Sequence, residues 1–184
     1  MRIIAGKFRG LKLLEFDYSN IRPTLDRARE GIFNKIQFVV PNSNCLDLFG
    51  GTGAVSLELV SRGAKSVITC DISQDSCDLI KKNFALAKIK PDLYKMDYLL
   101  ALDKFQSQKF DIIFLDPPFV TDFGAKAILK IDELKILEKD GVLIFEHSSE
   151  QKIDDLIDLV SLKHLKMVDT KKYGYISVDY FVGV

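Results

Sequence analysis

The chain has 184 residues, 47% of them apolar and 28% charged, and its 26 basic residues balance 26 acidic ones. Such values exclude a disordered or fibrous chain and fit one soluble globular domain, large enough to bury roughly 70% of its unfolded surface. A net charge of zero also argues, at first sight, against a nucleic-acid partner, although charge acts by location as well as by sum.

Residues 1–20 form short alternating stretches punctuated by Gly6 and Gly10, which predicts a β-hairpin-like arm. Thr24 can cap a helix over about 25–38, with Ile32, Phe33 and Ile36 on one face. Pro41–Asn44 breaks the chain, and a strict alternation follows. Strands are expected at 45–49, 66–70, 93–96, 111–115 and 142–146. Helices are expected at 54–62, at 74–88 with Ser73 as cap, after Asp97, at 123–137 and at 150–160. Two closing strands, near 163–171 and 176–182, are joined too tightly for a crossover and should form an antiparallel hairpin. The fold class is therefore α/β, a doubly wound, mostly parallel seven-stranded sheet of Rossmann type, which binds ligands at the carboxyl ends of its strands. Residues 1–40 are expected to form a basic arm and helix, and residues 41–184 the sheet domain.

The first strand runs into Leu-Asp-Leu-Phe-Gly-Gly-Thr-Gly-Ala at 46–54. Gly51 and Gly53 allow a sharp turn and close approach of a ligand. Asp47 precedes them, where a carboxylate suits an ammonium or an ordered water but sits badly against a pyrophosphate. Ser56 stands where the dinucleotide pattern has its third glycine. Both details favour a cationic, zwitterionic ligand over a nicotinamide dinucleotide. Asp71 ends the second strand and could accept both ribose hydroxyls of an adenosine, or simply favour the helix that follows. Asp97 could accept from an adenine amino group, flanked by Tyr98 and Ile72, or act only as a helix cap.

Asp116-Pro117-Pro118-Phe119 after the fourth strand is the most specific feature. Two prolines stiffen the turn and remove two backbone donors, so its carbonyls can accept. A carboxylate and a proline carbonyl can then accept from one planar amino group while Phe119 stacks on the ring that carries it. That arrangement serves alkylation of an exocyclic amine.

Taken together, LDLFGGTGA, CDIS, MDYLLAL and FDIIFLDPPF resemble class I S-adenosylmethionine-dependent methyltransferases acting on nucleobase amino groups. MRIIAGKFRGLKL, RPTLDRAREGIFNKI, SRGAKSV, FEHS and KKYG make the chain similar, over essentially its whole length, to the bacterial 16S ribosomal RNA guanine-N2 methyltransferases of the RsmD family. The resemblance implies methyl transfer to the 2-amino group of a guanine in small-subunit ribosomal RNA, within a partly assembled subunit. It implies that Asp116, Pro117, Pro118 and Phe119 handle the base. Asp47, Phe49, Gly51, Gly53, Asp71, Ile72, Asp97 and Tyr98 would hold the cofactor, with Arg22 or Thr24 at its methionine end. Tyr173 and Gly174 would form a turn near the substrate. The sequence departs from the family pattern at Glu15 and Asp17, at the GGTG turn, and at Phe119 in place of the commoner tyrosine, which keeps stacking and loses a hydroxyl.

Two further acceptor classes compete, adenine in DNA and a protein amide, as does a non-catalytic RNA-binding factor that kept the fold. The intact glycine turn beside an intact DPPF speaks against the last, and a DNA enzyme usually carries an added recognition region. His147 follows Glu146 at a strand end, where a substrate-edge role and plain packing are both open. Cys45, Cys70 and Cys77 are odd in number and form no CxxC pair, so reduced buried thiols are expected and a metal site is not. The N-terminus does not read as a signal peptide, and no apolar run approaches the roughly 20 residues needed to span a bilayer. A soluble, cytoplasmic, monomeric protein is expected. Charge is also unevenly placed. Arg2, Lys7, Arg9 and Lys12 occur without an acid in the first twelve residues, and Lys163, Lys166, Lys171 and Lys172 cluster near the end. A basic arm on a near-neutral body suits phosphate contacts with a large structured RNA, or is only solvated surface charge.

Overall fold

The structure, a computed structural model, describes residues 1–16 and 26–184. Its helices are α1 (Asp26–Lys35), α2 (Ala54–Ser61), α3 (Gln74–Leu86), α4 (Tyr98–Lys104), α5 (Phe123–Leu134) and α6 (Ile153–Leu156). Its strands are β1 (Asn44–Asp47), β2 (Ser66–Asp71), β3 (Asp92–Lys95), β4 (Phe110–Leu115), β5 (Leu137–Ser148), β6 (Leu165–Tyr173) and β7 (Ile176–Gly183). They form one sheet in the order β3-β2-β1-β4-β5-β7-β6. The first five pair in parallel, and β7 lies antiparallel between β5 and β6. The strand order reverses between β1 and β4, so the crevice at their carboxyl ends is the natural ligand site of this topology.

The central strands are buried on both faces, as near-continuous apolar runs require. One face is covered by α1 and α2, whose Ala28, Ile32, Phe33, Val55 and Leu59 pack on Cys45, Ile112 and Ile144. The other carries α4 and α5, with Leu102, Ile128 and Ile131 on Leu46, Ile113 and Leu143. Ser73 caps α3 by accepting from the Ser76 amide, and Asp97 caps α4 through Leu99. The lysines of β6 line an edge strand, where charge discourages pairing with other chains.

The arm is a small antiparallel ribbon closed at Arg2 and Lys12. Ile3 and Leu13 bury their side chains against Leu57, Ile80 and Phe84 of α2 and α3. The Glu58 carboxylate, fully buried in α2, accepts the backbone N–H groups of Ile4 and Ala5 at 2.7 and 3.0 Å and the Arg62 Nε–H at 2.7 Å. A buried carboxylate holds only when so paired. It fastens the arm to the domain.

Several expected boundaries move. α1 ends at Lys35, short of residue 38; the Val39 and Val40 amides turn back to the Ile36 carbonyl ahead of Pro41. α5 ends at Leu134, where Lys135 adopts a left-handed conformation (φ 56°), and β5 begins at Leu137 rather than Val142. Glu138–Gly141 looks locally like a turn, but pairing with β4 and β7 draws it into the strand around an irregularity at Asp140 (φ 62°). The helix expected over 150–160 shrinks to α6 and one 3₁₀ turn, Leu159–Ser161. There the Asp158 carboxylate takes the Val160 N–H and competes with helix continuation.

Candidate active site

The carboxyl ends of β1, β2, β4 and β5 surround a cavity of about 1110 Å³. The turn after β1 forms one wall. Gly51 and Gly53 take positive φ (53° and 78°), which fits glycine without strain, and Gly53 serves as N-cap of α2. Asp71 at the end of β2 accepts from the amides of Gly51 and Ser73, each at 2.8 Å. Those bonds fix the carboxylate at the cavity wall, and each oxygen keeps a second lone pair for a ligand. Beyond it lie Ile72, exposed at the rim, and Asp97. Tyr98 stands in an aromatic column between Phe49 and Phe123, with centroids 5.3 and 5.2 Å apart.

The opposite wall begins with the Asp116–Phe119 turn, all four residues of which line the cavity. The Pro118 carbonyl accepts both the Thr121 N–H at 3.1 Å and its hydroxyl at 2.7 Å. The Pro118 carbonyl is thus engaged within the turn itself. Ser148, Glu150 and Gln151 beyond β5 continue the wall, and Tyr175 of the β6–β7 turn completes it.

The electrostatics are one-sided. Asp71, Asp97, Asp116 and Glu150 line the cavity, and among the described residues no Lys, Arg or His does. Such a lining repels a pyrophosphate and suits a cation. Beneath the glycine turn lies Asp47, 1% exposed. Its Oδ2 accepts from the Ser56 hydroxyl at 2.6 Å, and the Ser56 Oγ in turn accepts from the Thr69 hydroxyl at 2.7 Å. Its Oδ1 is buried with no hydrogen-bond partner among the described residues. Burial pushes the Asp47 carboxyl up to about 6, against the pull of the Ser56 hydroxyl.

Residues 1–182 match the model of the family described as Conserved hypothetical protein 95. The chain is 31% identical over 181 residues to "Ribosomal RNA small subunit methyltransferase D" of Haemophilus influenzae, covering 96% of this chain and 91% of that one. It is 32% identical over 146 residues to the protein of the same name from Escherichia coli K12, covering 79% and 71%. The chain belongs to this ribosomal RNA small subunit methyltransferase D family. A solved structure of a hypothetical protein from Thermus thermophilus superposes with a TM-score of 0.84 at 22% identity, covering 100% of this chain and 99% of that one, and so shares the fold.

The family's motifs thus converge in space. Phe49, Gly51, Asp71, Ile72, Asp97 and Tyr98 face one cavity with Asp116, Pro117, Pro118 and Phe119. Asp47 and Gly53 lie behind that surface, as support for the turn. Arg22 and Thr24 lie outside the described residues. Arg2, Lys7, Arg9 and Lys12 are exposed on the arm, away from the cavity lining. The arm nevertheless reaches the glycine turn, because the Asn83 side-chain amide donates to the carbonyls of both Leu14 and Thr52.

His147 does not reach the cavity. It is buried, stacked on Phe145, with Nε2 2.8 Å from Asp179 and Nδ1 2.9 Å from the Ser148 carbonyl. Asp179 also accepts from the Thr170 hydroxyl at 2.5 Å, so the three residues brace β5, β7 and β6 together. In the turn expected near substrate, Tyr173 packs its ring where Gly31 of α1 leaves no room for a side chain. Tyr175 is the residue that lines the cavity. Sequence reasoning missed it, along with Ser148, Glu150, Gln151 and Phe123, although the carboxyl-end rule applied to β5 points to residues 148–151. All three cysteines are buried thiols, and burial pushes Cys45 and Cys70 up to about 12. Among the described residues no group of His, Cys, Asp or Glu could hold a metal ion, and no helix is long and apolar enough to cross a membrane.

Proposed function

We propose that this protein transfers a methyl group from S-adenosylmethionine to the exocyclic 2-amino group of a guanine in 16S ribosomal RNA, acting as a monomer on an assembling small subunit. One observation carries the reading. The Asp116-Pro117 acceptor pair shares a single, acid-lined cavity with the glycine turn and Asp71. A sulfonium cofactor fits a lining whose charged groups, among the described residues, are all acidic, and the Asp47 Oδ1 behind the turn, with no hydrogen-bond partner among them, fits a cationic donor nearby. The names of the relatives support a ribosomal RNA acceptor.

When bound, S-adenosylmethionine supplies an electrophilic methyl group on a positively charged sulfur. Asp71 would hold the ribose hydroxyls, and Asp97 the adenine amino group, with the exposed Ile72 on the ring and Tyr98 in the wall of the adenine site. Asp116 and the Pro117 carbonyl would accept the two amino protons of the target base. That withdraws the nitrogen from conjugation with its ring and turns its lone pair outward. Phe119 would hold the ring by stacking. The amino nitrogen, once methylated, would be acidic and would release its proton to water, so no residue of the cavity is required as a dedicated base. Holding nitrogen, methyl and sulfur in line can contribute on the order of 7–11 kcal/mol. The exposed Arg2, Lys7, Arg9 and Lys12 would dock the arm on RNA phosphates.

The test is transfer of radiolabelled methyl to ribosomal RNA from a strain lacking its own enzyme, with the modified nucleoside identified. N2-methylguanosine in 16S RNA is the expected product. Label only in DNA or protein would replace this reading with the adenine or amide acceptor.

A further inference from the structure

The cavity wall opposite the cofactor side holds an aromatic residue that the DPPF motif does not account for. Tyr175 follows Gly174 in the β6–β7 turn, is 46% exposed and lines the same cavity as Asp116. Its backbone is firmly placed. The Tyr175 carbonyl accepts the Ser149 N–H at 2.9 Å, tying the turn to the exit of β5. Tyr173 anchors the other side of the turn on α1 at Gly31, and the His147–Asp179–Thr170 network braces the strands beneath it. An aromatic ring on so fixed a platform, half open to a cavity, is prepared to stack on a planar ligand before that ligand arrives. An uncharged base is also what an acid-lined wall tolerates.

We infer that Tyr175 is a substrate-contacting residue, a second aromatic surface beside Phe119 for the target nucleobase. This rests on the functional reading above and extends its base-binding side from β4 to the C-terminal hairpin. Base stacking on an exposed aromatic commonly contributes enough that truncation costs about tenfold to a hundredfold in affinity. The loss should fall on RNA and spare the cofactor.

The chain contains no tryptophan, so Tyr175→Trp creates a single reporter. Its emission should be quenched when 16S RNA is added in the presence of S-adenosylhomocysteine, and unchanged by S-adenosylhomocysteine alone. Tyr175→Ala should raise the KM for RNA by about tenfold or more with an unchanged Kd for S-adenosylmethionine, which also certifies the fold, and Tyr175→Phe should recover most of the loss. An unaltered RNA KM in Tyr175→Ala, or a tryptophan signal that follows the cofactor and ignores RNA, overturns the inference. If the wild type transfers no methyl to RNA, the functional reading falls instead, while the tryptophan signal still decides whether RNA reaches this turn.

Discussion

The two sides of the cavity are built in different ways. The cofactor side comes from consecutive β-to-α turns: the glycine turn after β1, Asp71 after β2, Asp97 after β3. Each sits directly at the carboxyl end of a parallel strand, so local pattern suffices to place it. The acceptor side gathers the turn after β4, the exit of β5 and the β6–β7 turn, which meet only because β7 inserts between β5 and β6. A repeated supersecondary unit thus makes the general half of the site. The half proposed to hold the acceptor depends on long-range strand pairing. If that division is real, variants of the two sides must separate cleanly in their effects.

The largest effect is expected at Asp116. Asp116→Ala removes the carboxylate proposed to accept from the amino group, and removing one such transition-state interaction typically costs about a hundredfold to a thousandfold in kcat. Binding of S-adenosylmethionine, measured by calorimetry, should survive, and S-adenosylmethionine rather than NAD should bind. Normal turnover in this variant would remove the proposed role of the turn. Asp71→Ala is the mirror case. It should weaken cofactor binding by about tenfold to a hundredfold, the scale of one or two hydrogen bonds to a charged group. Turnover at saturating cofactor should stay close to normal. Equal losses of kcat in both variants would dissolve the distinction between the sides.

Asp47 lies behind the cofactor side and gives a pH signature instead. The folded protein holds the Asp47 proton up to about pH 6, whereas the ordinary carboxyl value is 3.8. Folding therefore favours the protonated form. The associated stability is fully present below about pH 4 and is lost as pH rises to about 6. Asp47→Asn lacks this titration. Its stability, read from the melting temperature, should gain on the wild type across that window by on the order of 3 kcal/mol, and then run parallel above it. A gap between the two melting curves that is constant with pH would show that burial does not govern this carboxyl.

The order of elements, the sheet class and the clustering of the DPPF turn with the glycine turn were legible in the sequence, because each depends on hydrophobic period or on residues adjacent in the chain. Ser73 and Asp97 were readable as caps for the same reason. What escaped depended on partners far away. Residues 138–141 look like a turn until β4 and β7 are beside them. His147 is open to a substrate-edge role or to plain packing until Asp179, thirty-two positions on, fixes it in the interior. Tyr173 and Tyr175 are two residues apart in one turn, and only the presence of Gly31 on α1 decides which is structural and which faces the cavity.

The smallest effect is expected at the arm, and it concerns the zero net charge. Glu58 and Asn83 hold the arm's backbone, while Arg9 and Lys12 are exposed to solvent. Reversing both charges should therefore leave the fold and cofactor affinity untouched. If these residues meet phosphates, Arg9→Glu with Lys12→Glu should raise the KM for RNA several-fold at low salt. It should also flatten the dependence of log KM on log salt by about two units of slope, one for each phosphate no longer neutralised. An unchanged slope would assign the arm's charge to solvation. RNA selection would then fall to the acceptor side of the cavity alone, where a change in salt concentration has little leverage on stacking. The balanced charge of the chain is compatible with an RNA substrate only if attraction is local in this way. A protein that bound phosphates over its whole surface would be held by any nucleic acid, whereas four exposed cations on the arm and one acid-lined cavity apart from them leave recognition to the shape of the RNA that can satisfy both.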